Sequence, residues 1–159
     1  MVQLCSISSL HHAPGDRLRQ VIDNALAFHQ ASLQALQIVV ERDVDRQVAD
    51  AWCPSSVEGC LMELLHGAIA RSFEGGQLTL SACQTWRGLE IEIADGGTAI
   101  DDLPLHAFSP YRDWSSSQRG DHYRMTSSAE VEVYRTRCPQ GGQACTLVIS
   151  ARRAHIRAA

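Results

Sequence analysis

No apolar run in the 159 residues approaches the roughly 20 needed to cross a bilayer. The amino-terminal Met1-Val2-Gln3-Leu4-Cys5 has neither the basic start nor the long apolar stretch of a signal peptide. The chain is therefore read as cytoplasmic, with no membrane partner. A basic excess is also missing: 18 acidic against 14 basic residues leave a net charge of −4, which gives no electrostatic reason to expect nucleic acid. There is no internal repeat, no low-complexity segment and no Gly-x-Ser-x-Gly elbow of a serine hydrolase. The six cysteines, Cys5, Cys53, Cys60, Cys83, Cys138 and Cys145, read as reduced thiols in a cytosolic setting. The pairs 53/60 and 138/145 each enclose six residues, wider than the spacing of about two to four in zinc knuckles. A zinc or thiol protein on an unrelated fold is the remaining alternative class.

What is present is the composition of an ordinary globular domain, 45% hydrophobic and 20% charged. The length suits one domain over residues 1–159, with a core over 15–151 and tails at 1–14 and 152–159. After Pro14-Gly15 and a candidate cap at Asp16, apolar residues recur at Leu18, Val21, Ile22, Ala25, Leu26, Leu33 and Leu36, the spacing of one long amphipathic helix. The β-branched stretch from Leu36 to Arg42 then reads as a strand, closed by polar Asp43-Val44-Asp45-Arg46.

Pro54-Ser55-Ser56 offers a proline stop and capping hydroxyls, and Glu58 sits near the positive end of a second helix. That helix carries Val57, Cys60, Leu61, Leu64, Leu65, Ala68 and Ile69 on one face and ends near Phe73, before Gly75-Gly76. Period-two alternation over 77–83 and 89–93, joined through Trp86-Arg87-Gly88, predicts a hairpin. A second hairpin is expected from 130–135 and 144–150 across Pro139-Gln140-Gly141-Gly142. Between Asp95 and about Ser128 the periodicity vanishes, which predicts a long loop with at most one short helix. The order is helix, strand, helix, then four strands in two hairpins. It implies an α+β two-layer sandwich, a mixed and mostly antiparallel sheet covered on one face by helices.

Four segments in this order carry a resemblance. Leu64-Leu65-His66-Gly67-Ala68-Ile69 resembles the Leu-Leu-x-Asn-Ala-Ile box of the histidine-kinase and heat-shock-chaperone ATPase superfamily, the Bergerat fold. Asp95-Gly96-Gly97-Thr98-Ala99-Ile100 resembles its Asp-x-Gly-x-Gly-Ile. Ala107-Phe108-Ser109-Pro110-Tyr111-Arg112 is similar to its Phe-x-Pro-Phe box, and Gly141 to Ile149 to its Gly-x-Gly-Thr-x-Phe ending. Residues 16–151 follow the family order.

The resemblance implies a pocket for ATP or ADP in which Asp95 accepts a hydrogen bond from the adenine amino group, Gly97 lets backbone approach the base, and Ala99 and Ile100 continue the motif. Gly67 stands where the family places the asparagine that holds magnesium, and glycine offers no side-chain oxygen. Glu63, one turn earlier on the same helical face, matches the position of the general base in the ATPase branches and is the candidate catalytic residue. The glycine-rich phosphate loop of the kinases is replaced by a segment around Trp114 and Arg119 with one glycine, Gly120; Arg112, Arg119 and Arg124 are candidate anion contacts there.

His29 and the pair His11-His12 are not in a phosphoacceptor context. No resident metal is expected. The implied reading is a stand-alone domain that binds adenine nucleotide weakly at most, without magnesium and leaning away from enzymatic activity. The other reading is an adaptor that docks a kinase, a response regulator or a sigma factor, with a homodimer left open.

Overall fold

The computed structural model describes residues 16–97, 115–119, 122–128, 131–138 and 141–150, with 115–119 and 122–128 taken as backbone. The described residues begin with a two-residue strand β1 (Asp16–Arg17) that pairs antiparallel with β3 (Trp52–Cys53). This pairing corrects the expected cap at Asp16. Arg17 is the N-cap of helix α1 (Leu18–Phe28) and makes no side-chain capping bond. Instead the amides of Leu18 and Arg19 donate to the carbonyls of Ala51 (2.8 Å) and Ala49 (3.0 Å). Backbone from a later turn thus satisfies the orphan donors that a capping side chain would take. The Arg17 guanidinium also lies 4.5 Å from the centre of the Trp52 ring, a cation–π contact that closes the same corner.

The single long helix expected over 16–36 is in fact two. It breaks at His29, where α2 (Gln30–Ala35) starts. His29 is buried and its Nε2 is 2.9 Å from the Met62 carbonyl oxygen, so it fixes the break against the second layer helix and is a structural residue. Leu36 then caps α2, and Gln37 takes a left-handed φ of 53°. That turn delays the strand expected at 36–42: β2 runs Val39–Val44.

Helix α3 (Ser55–Arg71) follows the expected stripe. Val57, Cys60, Leu61, Leu64, Leu65, Ala68 and Ile69 are all buried. Its N-cap is Pro54, without a side-chain cap bond, so Ser55 and Ser56 do not serve as caps, while Glu58 does lie in the first turn. The last turn closes with Ser72 Oγ donating to the Ala68 carbonyl at 2.9 Å.

The sheet contains β2, β4 (Gln77–Gln84), β5 (Gly88–Asp95), β6 (Ser115–Arg119), β7 (His122–Ser128), β8 (Val131–Arg137) and β9 (Gln143–Ser150). Its order is β2-β4-β5-β9-β8-β7-β6; β2 and β4 are parallel and every other neighbouring pair is antiparallel. The β4–β5 and β8–β9 strands fall where the alternation places them. The hairpin β6–β7 corrects the expected long loop at 95–128: polar strands such as Ser115–Arg119 extend the far edge of the sheet and carry no apolar alternation that a sequence could reveal.

Register explains the core. Leu80 faces Ile93, Ile93 faces Cys145, Ile91 faces Leu147, and Leu147 faces Val133, so one row of apolar side chains crosses the sheet on the face covered by α3 and α1. Asp95 has the same strand parity as Ile91 and Ile93 and pairs with Leu78 and Gln143. A carboxylate is thereby placed on the core side of the sheet at its end. The result is a two-layer α/β sandwich with a mixed sheet, as expected from the element order. Among the described residues no helix is long and apolar enough to cross a membrane.

Among the described residues no disulfide joins the five cysteines, and no group of three His, Cys, Asp or Glu is placed to share a metal ion. Burial pushes the Cys53 thiol up to about 12, whereas Cys83 is exposed. Because the thiolate is the reactive form, iodoacetamide at pH 8 is expected to label Cys83 in the native protein and Cys53, Cys60 and Cys145 only after unfolding, as read by peptide mass spectrometry.

Candidate functional site

Asp95 ends β5 directly beneath the C-terminal turn of α3. Its side chain is 0% exposed, and that of Arg71, the last residue of α3, is 12% exposed. Arg71 Nε and Nη2 both donate to Asp95 Oδ2, at 3.1 and 2.7 Å. The other oxygen, Oδ1, accepts from the backbone amides of Gly97 (3.2 Å) and Gln143 (3.3 Å). Four donors therefore meet the roughly four lone-pair positions of one carboxylate. A buried charge is tolerable only when paired and hydrogen-bonded in this way.

Three glycines make room for the pair. A Cβ at Gly67 would lie 3.3 Å from Arg71 Nη1, so the guanidinium lies beside the turn of α3 that carries Gly67. A Cβ at Gly97 would fall 2.2 Å from the Arg71 carbonyl oxygen, which any side chain would drive away. Gly142 has a φ of +78° and its Cβ would sit 1.8 Å from the Asp95 carbonyl oxygen, so glycine alone lets β9 begin there and deliver the Gln143 amide.

The neighbouring thiols register the same charges. Burial pushes Cys145 up to about 11, with Arg71 and Arg135 holding it back and Asp95 adding to the rise. Cys138 is raised by burial first, then by Asp95 and Glu92.

The structure brings together three of the residues singled out in the sequence. Asp95, Gly97 and Gly67 surround one point at the end of the sheet. Glu63 is half-buried on α3, one turn before Gly67. Ala99 and Ile100 lie outside the described residues, as do Arg112, Trp114 and Gly120; Arg119 and Arg124 are placed by backbone on β6 and β7. The residue that dominates the site, Arg71, belongs to none of the motif positions. Its signal was a basic residue four positions after a glycine on the same helix face, which leaves an open lane for a long side chain.

The fit to a nucleotide follows from these contacts. Reading an adenine amino group needs a free acceptor on Asp95, and both oxygens are engaged. Gly67, where the resemblance implies a magnesium ligand, offers no side-chain oxygen. In this conformation the described residues Asp95, Gly97 and Gly67 offer neither a free carboxylate acceptor nor a side-chain metal ligand.

The fold defines the class: the chain is a structural match over most of its length to the catalytic, ATP-binding domains of bacterial sensor histidine kinases. No family model and no curated protein matches its sequence. Among solved structures, the nucleotide-free catalytic domain of histidine kinase ThkA superposes with a TM-score of 0.61 at 13% identity, covering 84% of this chain and 93% of that one. Acinetobacter baumannii histidine kinase AdeS gives 0.55 at 21% identity, covering 90% and 68%. The mycobacterial sensor histidine kinase MprB gives 0.55 at 18%, covering 87% and 97%. At these identities the likeness establishes the fold.

Removing Arg71 leaves a buried carboxylate with two amide donors. Arg71→Ala is expected to cost roughly 3 kcal/mol in denaturant unfolding at neutral pH. In the double variant with Asp95→Asn the loss should be clearly smaller than the two single losses combined, because the stranded charge is gone. Additive losses would show that the pair is not coupled.

Proposed function

We propose that this chain is a degenerate histidine-kinase-like domain of bacterial signalling, a pseudokinase that binds adenine nucleotide weakly at most and acts by docking another signalling protein. The observation that carries the reading is the engagement of both Asp95 oxygens by Arg71, Gly97 and Gln143. An adenine amino group would have to displace a guanidinium from a buried partner, and losing such a charge-assisted bond costs about 1.5–3 kcal/mol. Gly67 adds to this by withholding a metal ligand, which removes the usual support for phosphoryl transfer. Glu63, the candidate general base, then has no metal-bound phosphate beside it to act on.

A docking role is supported by the fold's use elsewhere: one similar solved structure is histidine kinase ThkA in complex with the response regulator protein TrrA. For this chain the partner class is a kinase, a response regulator or a sigma factor.

Calorimetric titration with ATP and ADP, with and without magnesium, tests the reading. The expected result is no measurable heat, or a weak isotherm that is the same in both conditions. Tight binding that requires magnesium would overturn it.

A further inference from the structure

At the opposite end of the sheet from Asp95 lies a second concave site. A cavity of about 320 Å³ is lined by Arg19, Arg42 and Arg46 together with Asp23, over a floor of Ile22, Val44 and Ala49. Its distance from the first site follows from register: Val44 pairs with Ala82 of β4, while Asp95 pairs with Leu78, four residues or about 13 Å away along the strand.

Each arginine comes from a different element, and each element is fixed. Arg19 is in the first turn of α1, its amide bound to the Ala49 carbonyl at 3.0 Å. Arg42 is on β2. Arg46 rides on a turn held by the Asp45 side chain, whose Oδ1 accepts from the Gln47 amide at 2.9 Å, and by the Asp45 amide, which donates to Ala82 at 3.0 Å. One carboxylate offsets this charge: Asp23 accepts from Arg42 Nη2 at 2.8 Å. Among the described residues neither Arg19 nor Arg46 has an ion-pair partner. The lining therefore carries two uncompensated positive charges, in a hollow at the small end of the range for ligand sites.

We propose that this hollow is a binding site for a doubly charged oxyanion, phosphate or a phosphate monoester. Guanidinium groups suit this class because each presents paired N–H donors in the spacing of two oxygens on one phosphorus. Arg19 and Arg46 line the hollow together with Arg42, which Asp23 holds, and the two excess charges of the lining match a dianion. The apolar floor keeps water off one side of the ion and strengthens each contact. The volume favours a small ligand over a broad protein surface.

The experiment is amide NMR of the full chain, titrated with inorganic phosphate and separately with glycerol phosphate at constant ionic strength set by sodium chloride. Saturable shifts are expected at Arg19, Arg42, Arg46 and Ala49, with Asp95 and Gly97 unmoved. The tighter of the two ligands identifies free ion or monoester as the source. Arg19→Gln and Arg46→Gln, both at exposed positions, should each weaken binding roughly tenfold with unchanged melting temperature. Shifts that fail to saturate with either ligand, that centre on Asp95, or that persist in both variants would overturn the proposal. Because those outcomes are read at residues remote from Asp95, they are separate from the result of the nucleotide titration.

Discussion

The buried ion pair between Arg71 and Asp95 is the constraint around which the end of this domain is arranged. A carboxylate with no solvent contact must be matched by donors or lose its charge, and here the donors come from three parts of the chain. Arg71 closes α3, Gly97 follows β5 and Gln143 opens β9. The helix layer and two neighbouring strands are thus tied at one point. The glycines at 67, 97 and 142 are the steric counterpart of that tie, since a side chain at each would meet Arg71 or the Asp95 backbone. Substituting any member of the set changes the packing required of the others.

The core and the strand ends of this domain answer to different constraints. The apolar rows that join β4, β5, β9 and β8 to α3 are independent of what Asp95 binds, so the sandwich persists at low sequence identity to the kinases. Function depends on the few groups at the strand ends. Glycine at position 67 leaves open the lane in which the Arg71 guanidinium lies as it reaches Asp95, since a Cβ there would stand 3.3 Å from Arg71 Nη1.

How much of this could be read beforehand follows the range of the interactions involved. The stripe Val57 to Ile69 and the alternation over 77–83, 89–93 and 144–150 are local patterns, and the corresponding elements formed as the sequence indicated. The start of α1 was not legible, because its donors are met by carbonyls at 49 and 51, some thirty residues on. The strands β6 and β7 were not legible either, since Ser115–Arg119 is held by ladder bonds with no apolar period. Asp95, Gly97 and Gly67 were singled out through motif order. Arg71 was not, because its role appears only when the fold sets the end of α3 over the end of β5, 24 residues later in the chain.

The most direct test is to watch the Arg71 guanidinium itself. In nitrogen-15 spectra of the folded protein, the Arg71 Nε–H should exchange slowly and keep its shift when millimolar ATP and magnesium are added, because the group remains bound to Asp95. Loss of that protection, or a saturable shift of the Arg71 and Gly97 signals on adding nucleotide, would mean that adenine reaches the carboxylate and would contradict the account.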